Sequence, residues 1–317
     1  MSNYLSGVIW ALMCLSLHAE KLTKEESDEL AETCGPPTLY SKFKPRSRYK
    51  SFGGRSLKPH EFPWIVSMIN GDDICSGVLI SRRHILTAAH CVMNTNDKNT
   101  GDEAFCAKLL VRNYRDIRKI VNWRVYLGSS KTSCNFCTEP IIPKQAIFLE
   151  AYDECTNEND IAIFEIPETD AEDVAPICLP TRYTQYQRNL QLASAGLSGP
   201  NRLPKGLQVV DVNLVRVKGS IISTVVNRTT GICGGDSGGP LFQCPQKRCE
   251  VIGVVSEGSS CELNFENFQN NEDHETSTKD LFTNVRHYLD WICQETGICY
   301  MFDHNQYPSY NPPYYYV

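Results

Sequence analysis

The chain has 317 residues, 41% of them hydrophobic, with 37 acidic side chains against 31 basic ones and a formal net charge of −6. That acidic surplus argues against nucleic acid as a partner, and the length suits one large or two small domains. Fifteen cysteines turn attention to the compartment in which the chain folds.

Residues 1–19 read as a signal peptide. The run 7–17 is almost uninterrupted apolar sequence, and Leu17-His18-Ala19 places a small residue at the cleavage point. The run is shorter than the roughly 20 residues a bilayer span requires. The expectation is a secreted, extracellular protein with no transmembrane span and with oxidised cysteines. Setting aside Cys14 in the leader leaves an even number for pairing. Residues 20–50 are polar, charged and proline-containing, with Lys42, Lys44, Arg46, Arg48 and Lys50 alternating with other residues. They read as a pro-segment, an exposed linker open to a protease that cuts after basic residues.

Short apolar segments bounded by turn residues follow, at 74–80, 123–127, 161–166, 207–215 and 251–255, and predict an all-β domain. Thr100-x-x-Glu103 followed by Phe105 and Leu109 has the form of a capping box and predicts a short helix in a long segment after Cys91. Asn227-Arg228-Thr229 is a glycosylation sequon. A second long stretch, 262–279, is rich in Asn, Glu and Asp, and Val285, Tyr288, Leu289 and Ile292 stand at helical spacing. Residues 299–317 form a Tyr/Pro-rich tail without a period that could build a core. It reads as a disordered extension, with partner binding or cross-linking as the alternative.

Three motifs carry chemistry. Residues 232–240 place Ser237 between Asp236 and two glycines, residues 86–91 read Leu-Thr-Ala-Ala-His-Cys, and residues 159–163 read Asn-Asp-Ile-Ala-Ile. A serine hydroxyl is a poor nucleophile until a base activates it, and the base needs a partner to orient it. Glycines beside the serine let backbone amides approach a developing oxyanion. The order His90, Asp160, Ser237, with these neighbours, resembles the chymotrypsin-like (trypsin-like) serine protease family over residues 51–298.

The resemblance implies two packed six-stranded antiparallel β-barrels with a C-terminal α-helix, and Glu61-Phe62-Pro63-Trp64-Ile65-Val66 is similar to the family's first barrel strand. It implies His90 as base, Asp160 as its orienting acid, Ser237 as nucleophile, and the amides of Gly235 and Ser237 as the oxyanion hole. Ser256 matches the serine that supports the buried Asp. It pairs Cys75 with Cys91, Cys233 with Cys261, and Cys34 with Cys178, the last keeping the pro-segment attached after cleavage. Cys244 with Cys249 and Cys293 with Cys299 are close enough in sequence to close local loops. Cys106, Cys134, Cys137 and Cys155 remain, with Cys106 to Cys155 as the assignment. Cys134-x-x-Cys137 reads as disulfide cysteines rather than a zinc or redox site in an exported chain. No metal cluster of recognisable spacing and no cofactor is expected.

Activation in the family follows cleavage before the mature first residue, whose ammonium pairs with the Asp preceding the nucleophile, here Asp236. Cleavage after Lys50 exposes Ser51, where the family has an aliphatic residue. The missing side chain forfeits roughly 1.5–3 kcal/mol of burial and predicts a looser switch, with Phe52 placed to recover part of it. The specificity-pocket floor falls on Gly231, followed by Ile232, where an Asp would give trypsin-like preference. Asp280 stands where the pocket wall usually has Gly, Gly258 leaves the entrance open, and Glu257 replaces the usual Trp. A carboxylate entering from Asp280 favours substrates with Lys or Arg at the cut, and the alternative is that the fold satisfies Asp280 internally. The expected partners are a protein or peptide substrate, an activating protease and a protein inhibitor. The rival reading is a protease-like secreted binding protein with little catalysis.

Overall fold

The computed structural model describes residues 20–38, 54–93, 117–129, 138–198, 203–204, 206–225, 232–258, 279–301 and 314–316. Strands run in chain order as β1 (Arg55–Ser56), β2 (Ile65–Asn70), β3 (Asp73–Leu79), β4 (His84–Thr87), β5 (Arg124–Leu127), β6 (Gln145–Leu149), β7 (Ala162–Glu165) and β8 (Asn189–Ser194). They continue as β9 (Leu197–Ser198), β10 (Leu203–Pro204), β11 (Gln208–Lys218), β12 (Ile221–Val225), β13 (Pro240–Gln243), β14 (Glu250–Glu257), β15 (Lys279–Asn284) and β16 (Tyr314–Tyr316). The described helices are α1 (Lys24–Thr33), α2 (Ala89–Val92) and α3 (Leu289–Thr296), the last entered through a 3₁₀ turn, Val285–Tyr288. Each predicted strand coincides with an observed one to within a few residues, and the apolar spacing at 285–292 is that 3₁₀ turn and the start of α3. None of the described helices is long and apolar enough to cross a membrane.

Two sheet units make up the body. In the second, β11, β12, β15, β14, β13 and β8 pair in that order, and β8 also pairs with β11, so six strands close into an antiparallel barrel. Along β11, Val210 and Val212 are buried while Asp211 and Asn213 are exposed, the alternation of a strand with one face on a core. The interior holds Leu192, Val212, Ile222, Leu241, Ile252 and Phe282. In the first unit the order is β6, β7, β4, β3, β2, β5. Among the described residues its ends meet at one bridge, formed by the chain just before β6, where the Val125 amide of β5 donates to the Ile141 carbonyl at 2.9 Å and the Ile141 amide returns the bond at 2.7 Å. Phe62 and Trp64 meet Phe242 of β13 edge-on, at 4.7 and 5.8 Å between ring centres, which locks the units together.

Two expectations about the chain's ends are corrected. Residues 20–38 are not an exposed linker. Thr23 and Glu26 form a reciprocal capping box that starts α1. Ser27, Leu30 and Cys34 turn one face of the segment inward. The Leu22 amide donates to the Thr296 carbonyl at 2.7 Å, the Cys299 amide to Ser27 Oγ at 3.0 Å, and Arg83 binds both Glu26 oxygens at 2.8 Å. The tail is not wholly apart either. Tyr300 and Met301 pack on the core, and the Leu179 amide donates to the Tyr300 hydroxyl at 2.6 Å. Strand β16 adds antiparallel to the edge of β6, Tyr315 opposite Phe148, because a run of tyrosines has strand preference and that edge is open to it.

Four expected disulfides are formed: Cys34–Cys178, Cys75–Cys91, Cys244–Cys249 and Cys293–Cys299. Cys155 and Cys233 are also disulfide-bonded. Cys106, Cys134, Cys137 and Cys261 lie outside the described residues, as do Lys50, Ser51, the sequon at Asn227, Gly231, the predicted helix after Thr100 and the leader.

Candidate active site

Strands β4 and β7 pair antiparallel, with Thr87 opposite Ala162. Asp160 precedes β7 and α2 follows β4, so His90 and Asp160 emerge at the same end of one strand pair. Asp160 is 0% exposed. Its Oδ1 accepts from the His90 backbone amide at 2.9 Å, and its Oδ2 takes His90 Nδ1 at 2.8 Å and the Ser256 hydroxyl at 2.7 Å. An ionised carboxylate only accepts, so Nδ1 carries the ring proton and Nε2 keeps its lone pair. The Asp160 carbonyl also accepts from Thr283 Oγ1 at 2.7 Å. Ser256 lies where the pairing of β14 with β15 slips between Val255 and Glu257. That irregularity re-aims its hydroxyl out of the ladder and onto Asp160.

Ser237 sits half-buried in a tight turn between Cys233 and Gly239. The Asp236 amide donates to the Cys233 carbonyl at 3.1 Å, Gly239 to Asp236 at 2.9 Å, and Gly238 to Val255 of β14 at 2.9 Å. Gly238 has φ of 80°, and a Cβ on it would meet the Ser76 carbonyl at 2.3 Å, so only glycine fits there. Ser76 of β3 fastens this turn from the other unit. Its amide donates to the Ser237 carbonyl at 2.7 Å, its hydroxyl to the Gly235 carbonyl at 2.8 Å, and that hydroxyl accepts from the Ala195 amide at 2.9 Å. With their carbonyls so engaged, the amides of Gly235 and Ser237 donate to no acceptor among the described residues. The Cys75–Cys91 disulfide ties β3 to α2, and Cys91 Sγ lies 3.8 Å from the Ser237 carbonyl. Donor atoms of Cys75, His90 and Cys91 fall within 4.8 Å of one another. The two sulfurs are bonded to each other and are not thiolates, so this grouping belongs to the disulfide.

Behind the serine, Asp236 is 7% exposed. Burial raises its pKa to about 6, against the opposing pull of donors from Cys233, Ser194 and Gly196, while the nearby Asp280 pushes in the same direction as burial. Asp280 lies on β15 opposite Thr224 of β12 and is 0% exposed. Ile232 is buried beside Gly258, whose Cβ would come within 2.9 Å of the Ile232 carbonyl and of Ile232 Cγ2. The glycine at 258 thus permits close packing on Ile232, whereas the sequence suggested only an open entrance. Glu257 is exposed. Sequence reading passed over Ser76, Ser194 and Thr283. Ser76 adjoins Cys75, which is a faint signal, and the other two have no local signature.

Comparison with known proteins agrees with this geometry. The trypsin family model matches residues 51–292. Chymotrypsin-C of Bos taurus is 28% identical over 292 residues, which cover 84% of this chain and 94% of the relative. Mannan-binding lectin serine protease 1 of Homo sapiens is 25% identical over 295 residues, which cover 84% of this chain and 38% of that protein. The mouse protein of the same name is 25% identical over 262 residues, 75% of this chain and 36% of its own length. The chain therefore spans nearly all of one relative and well under half of the others. Two β units with a short C-terminal helix, the buried Asp160 holding His90, the Ser237 turn and a family match over most of the length converge: the chain belongs to the trypsin family of serine proteases.

Proposed function

We propose that this protein is a secreted serine endopeptidase, made as a zymogen, that hydrolyses peptide bonds through an acyl-enzyme on Ser237. The observation that carries the reading is the grip on Asp160, whose carboxylate is buried and takes the His90 backbone amide, His90 Nδ1 and the Ser256 hydroxyl. Such a grip has a chemical purpose, since it fixes the tautomer that makes Nε2 a base. Ser237 Oγ attacks the substrate carbonyl and its proton passes to His90 Nε2. The amides of Gly235 and Ser237 receive the oxyanion, each such donor being worth about 2.7–4 kcal/mol in a serine protease. The amine leaves with the proton from His90. Water, deprotonated by the same nitrogen, then releases the acyl group. The names of the relatives, both describing proteases, agree with this reading.

Cleavage after Lys50 frees the Ser51 ammonium to approach Asp236, and Cys34–Cys178 retains the released segment. For specificity, Asp280 supports cleavage after Lys or Arg, because its carboxylate, on β15 where the family's pocket wall falls, would attract a substrate cation. The test is protein cut after Lys50, reacted with a fluorophosphonate probe beside Ser237→Ala and profiled on a peptide library. Labelling that needs Ser237, with cuts after basic residues that Asp280→Gly abolishes, is the expected result. Labelling with unchanged selectivity in Asp280→Gly removes the specificity assignment. No labelling of verified folded protein overturns the enzyme reading in favour of a binding protein.

A further inference from the structure

The turn that carries Ser237 is anchored at Asp236, and the body of the fold provides partners for that carboxylate. Its Oδ1 accepts from Ser194 Oγ at 2.5 Å, its Oδ2 from the Cys233 amide at 2.7 Å, and the Gly196 amide donates to it as well. Gly196 approaches so closely that a Cβ there would fall 1.8 Å from Oδ1. Ser194 ends β8, in register with Gln208 of β11, and a Cβ on Gly239 would lie 3.2 Å from its own Cβ. The closed barrel therefore sets the position of this hydroxyl, independently of any chain end near residue 50. On the far side of the turn, Ser76 holds the carbonyls of Gly235 and Ser237. A buried carboxylate without donors turns out to solvent, and Asp236 doing so would carry both flanking amides with it.

We propose that Ser194 is a positioning residue that holds Asp236, and through it the amides of Gly235 and Ser237, in the oxyanion-accepting arrangement before the chain is cut, so that the uncut zymogen already shows part of the reactivity at Ser237 that cutting completes. This rests on the reading of Ser237 as nucleophile. Ser194 touches no reacting atom and acts through Asp236. The ionised carboxylate is the form that accepts from all three donors. Burial raises its pKa, Asp280 is the other acid whose charge reaches it, and the Ser194 bond lowers it. Removing that bond raises the pKa further, so reactivity that needs the ionised form moves to higher pH.

The experiment uses the full chain with Lys50→Gln, its integrity checked by mass, and follows the rate of fluorophosphonate labelling against pH beside cut wild type. Labelling of the Lys50→Gln protein at Ser237 is expected. Adding Ser194→Ala should slow it about tenfold, the scale of a lost bond to a charged group, and move its pH midpoint upward. Cut Ser194→Ala should lose less of its rate than the uncut variant does, since the Ser51 ammonium then serves Asp236 as well. If Ser194→Ala fails to fold, Ser194→Cys, which keeps the volume and donates weakly, is read for the same loss. Labelling of uncut protein that is indifferent to residue 194, or absent while cut wild type labels, overturns the inference and leaves the nucleophile intact. Absence of labelling in folded, cut wild type overturns both.

Discussion

The two sheet units contribute different things to the site, and each is held in place by the other. The first unit carries His90 and Asp160, yet Ser256 and Thr283 of the second bind Asp160. The second carries Ser237, yet Ser76 of the first binds Gly235 and Ser237. The second closes by continuous strand pairing, while among the described residues the first meets itself at a single bridge. Their buried ionisable groups also differ. The first buries His84, whose pKa burial lowers to about 3, and the second buries Asp236, whose pKa burial raises to about 6. The reactive geometry is thus a property of the contact between units.

The sharpest way to break this arrangement is Asp160→Asn, whose single accepting oxygen cannot serve both the His90 amide and the Nδ1 proton, and whose NH2 group donates where the carboxylate accepted. Peptide hydrolysis should fall by about 10⁴ in kcat with the fold intact, the scale seen for the family's template triad. A next, smaller effect comes from the second unit's grip on the first: Ser256→Ala should lower kcat by about tenfold or somewhat more, a charged hydrogen bond being worth roughly 1.5–3 kcal/mol. The converse grip is tested by Ser76→Ala, expected to lower unfolding free energy by about 1–3 kcal/mol in urea because it strips two buried backbone groups of a partner. Combining the two substitutions sharpens the comparison, since non-additive losses would show that the units act as one, and simple additivity would show that they do not. The mildest effect concerns pH. Folded His84 titrates far below an unfolded histidine, so the unfolded chain binds the extra proton below about pH 6.5 and stability falls as pH falls. Between pH 6.5 and 5.5 this group should remove at most about 1.4 kcal/mol, and His84→Asn should flatten that slope in pH-dependent denaturation.

Much of the core architecture was legible locally. The strands at 207–215 and 251–255 announced themselves by length and branched residues, and Ser237, His90 and Asp160, the proposed catalytic residues, were singled out by their immediate neighbours. What escaped was set by distance. Ser194 reaches Asp236 across 42 positions and Ser76 reaches Gly235 across 159, so beyond the faint signal of Cys75 beside Ser76 neither neighbourhood records the bond. Helix α1 escaped because its inward face is Ser27, Leu30 and Cys34, too slight an apolar stripe to register, although its capping box stood in plain view. Strand β16 escaped because a Tyr-rich run is read as strand only once an open edge is known to await it.

The docking of α1 redefines where this protein begins as a piece that can be made. The family match starts at residue 51, but a polypeptide started there would leave Cys178 without Cys34, strip Arg83 of Glu20 and Glu26, and uncover the Thr296 carbonyl that Leu22 occupies. Gly297 is shaped to the same end, since a Cβ on it would strike the Leu22 carbonyl at 2.2 Å. Recombinant production should therefore keep residues 20–38 together with the matched region, so that α1 and Cys34 are present when the surfaces they dock on are assembled.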